Sequence, residues 1–498
     1  MMMRFYQSTR NPNLKAVASK VVLQGLADDG GLYMLNDLED LHLDVEDCLD
    51  LNYQQLATKI LGLFLDDFTN EELADCVRNA YNGKFSNDEI TPLVKVNDDY
   101  ILELFHGPTS AFKDMALLLL PQLMQVALKK QELQDDILIL TATSGDTGKA
   151  ALEGFKNLDR IHIMVFYPDS GVSAIQKRQM MTQEGNNVGV CAIEGNFDDA
   201  QSAVKRIFTS EKLKEFAEEK HIQFSTANSI NFGRLVPQIV YYYKAYIDLV
   251  HRGEIECGEL VDFVVPTGNF GNILAGTFAK RLGLPVHKLV CASNSNHVLT
   301  DFMQTGLYDK RREFLKTTSP SMDILVSSNL ERYLYMICDK DEKIVKGYME
   351  DLQRQMYYQL SDDQLARLKE DFYAGYSNDE ETLKTISSCF RQTGYLLDPH
   401  TAVGYKVCQQ YKQESKTPYK KIVLATASPY KFVRSIGKSL GLESVDEFEL
   451  MKQIASVTRT EIPVPLQILK NKEILHRNVI KTRSIDEYVK ERIKAWQE

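Results

Sequence analysis

From residue 100 onward, short apolar runs alternate with longer stretches of helical character. Ile137-Leu-Ile-Leu140, Ile161-His-Ile-Met-Val-Phe166 and Val188-Gly-Val-Cys-Ala-Ile193 have the length and content of buried strands. Segments of helical length, 146–157, 173–183 and 197–212, separate them. The rhythm resumes with Gln223-Phe-Ser-Thr226, a helix from Gly233 to Val250, the strand Phe263-Val-Val265 and a helix from Asn272 to Leu282. Leu289-Val-Cys-Ala292 and Ile422-Val-Leu-Ala-Thr426 complete it. Strands that alternate with helices predict an α/β fold whose parallel sheet is covered on both faces.

The pattern differs outside this region. Residues 1 to about 90 open with Phe5-Tyr-Gln-Ser-Thr-Arg10 and turn at Asp28-Asp-Gly-Gly-Leu-Tyr33. Acidic helical periodicity follows over Tyr53 to Leu65 and Asn70 to Tyr81. Polar helical sequence at roughly 310–395 predicts an insertion, and charged helical sequence after 440 predicts a C-terminal cap. A length of 498 residues predicts two or three domains.

Composition narrows the partners. With 44% hydrophobic and 26% charged residues the chain reads as soluble and globular. A net charge of −11 without a long basic run argues against nucleic acid or an anionic membrane as the main partner. No apolar stretch reaches membrane-spanning length. The eight cysteines are scattered without a Cys-x-x-Cys pair, which fits reduced thiols in a cytoplasmic protein. The nine histidines lack His-Glu-x-x-His spacing, so no metal site is expected.

Four stretches carry candidate chemistry. In Phe105-His-Gly-Pro-Thr-Ser-Ala-Phe-Lys-Asp114, Thr109 and Ser110 are placed to cap a helix with Lys113 in its first turn. A cation there opposes the helix dipole, and its neighbours are apolar. Desolvation and nearby positive charge would lower its pKa and yield a nucleophilic amine; the alternative is a lysine that snorkels from a buried helix to solvent. Thr141-Ala-Thr-Ser-Gly-Asp-Thr-Gly-Lys149 follows a strand and opens a helix, and it can present N–H groups to an anion or simply cap that helix. Pro266-Thr-Gly-Asn-Phe-Gly-Asn272 does the same with glycines that suit a phosphate smaller than a dinucleotide. Leu424-Ala-Thr-Ala-Ser428 sets hydroxyls at the end of a buried strand. A desolvated lysine, a phosphate loop and strand-end hydroxyls are the parts that a pyridoxal 5'-phosphate site needs.

The sequence resembles the threonine synthases, within the tryptophan-synthase-like (fold type II) pyridoxal-phosphate enzymes. Tyr6-Gln-Ser-Thr-Arg10, Gln24-Gly-Leu-Ala27, Asp29-Gly-Gly-Leu-Tyr33, Phe105 to Asp114 and Thr143-Ser-Gly-Asp-Thr-Gly148 carry it. So do Asn228-Ser-Ile-Asn-Phe-Gly-Arg234, Thr267 to Asn272, Ser319-Pro-Ser-Met-Asp-Ile324, Ser328-Asn-Leu-Glu-Arg332, Asp398-Pro-His-Thr-Ala-Val403 and Ala425 to Pro429. Asp146 stands where cysteine synthases typically carry Asn, and Ser428 departs from the His that many members carry there.

The resemblance implies two open, mostly parallel sheets with helices on both faces and the cofactor between the domains. The expected division is an N-terminal segment over 1–95, a smaller α/β domain over 96–225 that holds Lys113, and a larger one over 226–440 that includes the insertion near 310–395. A helical cap over 441–498 closes it. Pyridoxal 5'-phosphate is the implied cofactor, covalently held by Lys113, which then serves as base at the substrate's Cα. Gly268, Asn269, Phe270, Gly271 and Asn272 are implied phosphate ligands, and Thr426 the partner of the pyridine nitrogen. Ser144, Asp146 and Thr147 are candidates for the substrate's amino-acid end, and Asn231 and Arg234 for its phosphate. A structural ion pair is the competing role for Arg234. Lys149 is either an assisting cation or a surface charge, and His106 a turn-fixing residue rather than an acid or base. The implied reaction takes O-phospho-L-homoserine and water to L-threonine and phosphate. The rivals are a related phospholyase that releases a 2-oxo acid and a non-catalytic protein that binds a phosphate ligand.

Overall fold

The computed structural model of this chain describes residues 4–497 except 144, 171 and 196, with no side chain described at 197, 198 or 209. Two sheets organise it. The larger runs, in spatial order, Phe372–Tyr376, Val286–Ser293, Val261–Pro266, Lys420–Ala425, Asp99–Glu103 and Leu93–Val96. All neighbours are parallel except the last pair. The smaller sheet runs Val479–Ile480, Val188–Ile193, Ile161–Pro168, Asp136–Ala142 and Ile222–Ser225, parallel throughout. Val261–Pro266 and Val188–Ile193 are buried at every residue, as strands covered on both faces must be, and this is why Phe263–Val265 and Val188–Ile193 read as unbroken apolar runs.

Three expected boundaries are corrected. Asp99–Glu103, assigned to the smaller unit of 96–225, lies in the larger sheet, where Tyr100, Ile101 and Leu102 pair with Ile422, Val423 and Leu424. The interval 310–395 is not wholly an insertion, because Phe372–Tyr376 supplies the edge strand beside Val286–Ser293. Residues 441–498 divide between the two sheets. Leu450, Met451 and Ile454 pack with Val433 and Ile436 of the larger unit. Val479–Ile480 extends the smaller sheet, and Ile485, Val489 and Ile493 pack over Leu138 and Phe166.

Local chemistry explains most element ends. The helices Tyr53–Phe64 and Asn70–Tyr81 start with capping boxes, Asn52 with Gln55 and Thr69 with Glu72. The expected helix over 197–212 divides into Phe197–Thr209 and Glu211–Glu219, because Ser210 is extended (φ −78°, ψ 107°). The one from Gly233 is broken as well, with a 3-10 turn over Val236–Gln238 before Ile239–His251. Pro237, which lacks an N–H, sits in that turn.

The N-terminal segment forms a small antiparallel sheet and is clamped to the helix Leu330–Ile337. Thr9 Oγ1 and the Arg10 guanidinium both donate to Glu331, at 2.6 to 2.8 Å. Arg332 is fully buried and donates to the carbonyls of Tyr33 and Ile230 at 2.9 and 2.6 Å.

The helix Asp146–Phe155 passes so close to Asp114–Leu117 that a Cβ on Gly154 would overlap the Leu117 carbonyl. Gly154→Ala should therefore destabilise the fold by about 1–3 kcal/mol, although alanine is the better helix former by about 1 kcal/mol. Urea unfolding of the purified variant checks this, and an unchanged or raised midpoint would refute the close approach.

Candidate active site

The site lies where loops at the ends of both sheets meet. The Lys113 loop is fixed to the larger sheet rather than to the smaller unit where sequence placed it. Phe112 N donates to Thr426 O at 2.8 Å, Ser428 N to Ser110 O at 3.0 Å, and Ala111 bridges Ala427. The short helix spans Asp114–Leu117, so Lys113 precedes its first turn. The expected caps do not act through their hydroxyls. Instead the buried Asp114 carboxylate turns back to accept from Thr109 N at 2.8 Å and Thr109 Oγ1 at 2.5 Å. Gly107 makes room for it, since a Cβ there would fall on the Asp114 side chain. Burial raises the Asp114 carboxyl to about 6, against the Thr109 bonds that lower it.

Lys113 does not snorkel to solvent. Its side chain is 11% exposed, with Nζ 3.8 Å from Asp146 Oδ2 and 5.0 Å from the centre of the Phe112 ring. Burial brings its ammonium down to about 8; Asp146 opposes that shift, while Arg234 and Lys431 add to it.

Asp146 reaches this point from the smaller sheet and gathers several partners. Its Oδ1 accepts from Lys431 Nζ and Gln176 Nε2, both at 2.8 Å, and Ser321 Oγ lies 3.4 Å from Oδ2. Burial alone would raise this carboxyl, but the charges of Lys431 and Lys113 outweigh it and hold it well below the usual range. The loop around it is shaped by Thr143 Oγ1, which accepts from Gly145 N and Gly148 N at 3.0 Å.

Arg234 is 5% exposed and has no carboxylate within 4 Å among the described residues. Its Nη1 donates to Ala227 O at 2.9 Å, and burial lowers its pKa to about 10. The structural ion pair considered as its alternative role is not present among the described residues. Asn231 is corrected: its side chain is fully buried and committed to backbone. Oδ1 accepts from Gly233 N at 2.9 Å, and Nδ2 donates to the carbonyls of Val22 and Thr226. It caps the turn that carries Arg234 and leaves no donor for a ligand.

The loop after Val261–Pro266 has the form of an anion cradle. Phe270 is left-handed (φ 64°), with its ring against Tyr333 and Phe372, and the helix Gly271–Arg281 begins beyond it. No acceptor among the described residues takes the N–H groups of Gly268, Asn269, Phe270, Gly271 or Asn272. The carbonyls are turned away: Gly268 O accepts from Ser327 Oγ at 2.8 Å, and Asn269 O from Asn329 N and Nδ2 at 3.1 Å. Asn272 Oδ1 is held by the hydroxyls of Tyr241 and Tyr242 at 2.6 and 2.9 Å, while its buried Nδ2 has no partner. A buried amide donor without an acceptor is costly, and a phosphate oxygen would satisfy it. A side chain at Gly268 would press on Ser321 O and Met322 Cα at 3.1 and 3.2 Å.

Thr426 follows the strand Lys420–Ala425, is 6% exposed, and its hydroxyl has no partner among the described residues. Unclaimed N–H groups at a helix start, an orphaned amide, a free hydroxyl and a buried amine fit pyridoxal 5'-phosphate by donor type.

Thr147 is half-buried in the first turn of Asp146–Phe155, and Ser144 lies outside the described residues. Lys149 is not a free surface charge: it is half-buried, 3.1 Å from Glu153 and bonded to Gln183. His106 fixes its turn through Glu103 at 2.7 Å and Ser86 at 3.1 Å. Ser428 accepts from Tyr430 N at the start of Pro429–Lys431. Sequence reading missed Lys431, Gln176, Ser321 and His400. Lys431 lies three residues after Ser428, and nothing in that spacing marks it. His400 Nδ1 lies 2.8 Å from Asp398 Oδ1, and its Nε2 accepts from Ser321 N at 3.1 Å, which aims the 319–324 segment at Asp146.

If the Thr426 hydroxyl meets the cofactor ring, Thr426→Ala should weaken cofactor binding by about 1 kcal/mol. Thr426→Asp should alter the visible spectrum by favouring a protonated ring. Cofactor titration with absorbance checks both, and no change in either variant would remove Thr426 from the site.

The sequence matches the family Threonine synthase N terminus over residues 5–81, Pyridoxal-phosphate dependent enzyme over 88–428, and Threonine synthase, C-terminal over 401–480. It is 39% identical over 441 residues to Threonine synthase-like 1 of Homo sapiens, which covers 86% of this chain and 58% of that protein. The chain thus spans somewhat over half the length of those curated relatives. It is 38% identical over 439 residues to Threonine synthase of Pseudomonas aeruginosa, with 87% and 90% covered. The crystal structure of pyridoxal-phosphate-bound threonine synthase from Brucella melitensis superimposes with a TM-score of 0.87 at 36% identity, over 99% of this chain and 100% of that one. This chain belongs to the threonine synthase family of pyridoxal-phosphate-dependent enzymes.

Proposed function

We propose that this protein is a threonine synthase that converts O-phospho-L-homoserine and water to L-threonine and phosphate. The observation that carries the reading is Arg234. A buried guanidinium without a carboxylate partner among the described residues adds to the field on Lys113, yet belongs to a different loop from the phosphate cradle at 268–272. A substrate phosphate, distinct from the cofactor's own, is the anion that such a charge suits.

Each residue then has its own task. Lys113 would hold the cofactor through its amine and would take the proton from the substrate's Cα. Gly268 to Asn272 would anchor the cofactor phosphate, and Thr426 would meet the ring nitrogen without imposing a full positive charge on it. When bound, the cofactor supplies the electron sink that makes protons at Cα and Cβ removable. Arg234 orients the γ-phosphate for departure with its bridging oxygen and stabilises the charge it carries away. Asp146 and Thr147, with Ser144, stand at the amino-acid end. A proton is then delivered to Cγ, water adds at Cβ, and Lys113 returns the proton at Cα.

We also assign the protein to the cytoplasm, supported by eight cysteines that are all free, seven of them buried. Among the described residues, no helix is long and apolar enough to cross a membrane.

The Lys113 amine is neutral above about 8 and protonated below it. The rate at which apoenzyme takes up pyridoxal 5'-phosphate should therefore rise with pH up to about 8 and level off above it. Stopped-flow absorbance checks this; a rise that continues toward the ordinary lysine range would refute the buried environment. For the function itself, full-length protein loaded with cofactor should release threonine and phosphate in equal amounts from O-phospho-L-homoserine. Release of a 2-oxo acid in place of threonine would establish the phospholyase reading instead.

A further inference from the structure

We propose that Lys431 is a positioning residue of this site: clamped between the Thr109 carbonyl and the Asp146 carboxylate, it neutralises Asp146 and so favours the amine form of Lys113. The inference rests on Lys113 being the reactive amine.

Two lysines share one carboxylate, one oxygen each. Lys431 Nζ is 2.8 Å from Asp146 Oδ1, and Lys113 Nζ is 3.8 Å from Oδ2. The two contacts are unequal. Lys431 also donates to Thr109 O at 2.8 Å and is wholly buried, so its charge is fixed in place and water does not screen it. Asp146 comes from the smaller sheet, whereas Lys431 and Thr109 belong to loops tied to the larger one, so the pair also docks the two sheets across the site. Gln176 adds a second donor to the same Oδ1 and fixes the rotamer.

The groups that bear on Lys113 are few. Asp146 faces it from the helix start at 146, Arg234 from the turn at 232–235, Lys431 from 429–431, and Asp114 is its chain neighbour with its carboxylate turned onto Thr109. A buried carboxylate must have a counter-charge. Without Lys431 the nearest cation is Lys113 itself, which would then stay protonated and cease to be a nucleophile. Lys431 supplies the counter-charge and adds repulsion of its own, and both effects favour the neutral amine.

Competitive labelling tests this in full-length apoenzyme. A trace pulse of acetic anhydride across a pH series, followed by mass spectrometry of the Lys113 peptide, gives its titration midpoint. Wild type should titrate near 8. Lys431→Met should raise the midpoint by about 1–3 pH units, and Lys431→Arg should leave it near wild type. Asp146→Asn should lower it. A role confined to holding the loop shut would send both Lys431→Met and Asp146→Asn upward, toward an ordinary lysine. An unchanged midpoint in Lys431→Met, or a raised one in Asp146→Asn, overturns the proposal. If Lys431→Met does not fold, the comparison of Asp146→Asn with the Asp146→Asn/Lys431→Met double variant decides. The double variant should titrate higher, because it lacks the Lys431 repulsion, and equal midpoints overturn the proposal. Because labelling reads Lys113 whether or not the enzyme turns over, a failure here leaves the functional reading standing, and a failure to make threonine leaves this midpoint series intact.

Discussion

Lys113→Ala will fold, will show no visible absorbance from a lysine-bound cofactor, and will lose turnover by about 100-fold to 10,000-fold or more. That range is the usual contribution of a positioned acid–base group, and the absence of covalent attachment adds to it. No other described amine can substitute. Lys431, the second lysine at the site, is wholly buried and engaged by Asp146 and Thr109, and Lys149 is bound to Glu153. Reduction with borohydride and peptide mapping check the linkage, and activity measured on the same preparation checks the consequence. A variant that keeps both a reducible cofactor bond and turnover would show that the reactive amine lies elsewhere.

The second large effect belongs to Arg234. Arg234→Leu should leave cofactor content nearly intact, because the cradle at 268–272 draws on backbone N–H groups and the Asn272 amide. Turnover of O-phospho-L-homoserine should fall by a factor equivalent to about 2–4 kcal/mol, the scale of removing a charge-assisted hydrogen bond from a desolvated site. Folding should tolerate the change, since Arg234 has no carboxylate that would be left uncompensated among the described residues. One further readout is specific. Arg234 lowers the Lys113 pKa, so its removal should raise the pH at which cofactor uptake levels off above about 8. Equal decreases in cofactor affinity and turnover would make Arg234 a structural residue.

Much of this architecture is legible in the sequence because its strands are buried on both faces. Val261–Pro266 and Val188–Ile193 have no polar alternation to obscure them, and the helices Tyr53–Phe64 and Asn70–Tyr81 announce themselves through capping boxes. The loop at 268–272 stands out as a candidate for a similar reason, because its glycines lie between a buried strand and a helix. What was not legible depends on tertiary pairing. Val479–Ile480 is a two-residue strand, too short to carry a period, and Phe372–Tyr376 becomes a strand only against Val286–Ser293. Lys431 looks like any surface lysine until Asp146 arrives from the other sheet. Asn231 illustrates the converse, since this polar residue near Arg234 caps the turn that carries it.

The most direct test of the central claim follows the oxygen. Holoenzyme is incubated with O-phospho-L-homoserine in water enriched in heavy oxygen, and both products are analysed by mass spectrometry. Elimination of the γ-phosphate with cleavage of its carbon–oxygen bond, followed by addition of water at Cβ, places one heavy oxygen in the hydroxyl of threonine and none in the phosphate. Unlabelled homoserine with labelled phosphate would mean simple hydrolysis at phosphorus, and a 2-oxo acid without threonine would mean elimination that never adds water. Either result would contradict the account.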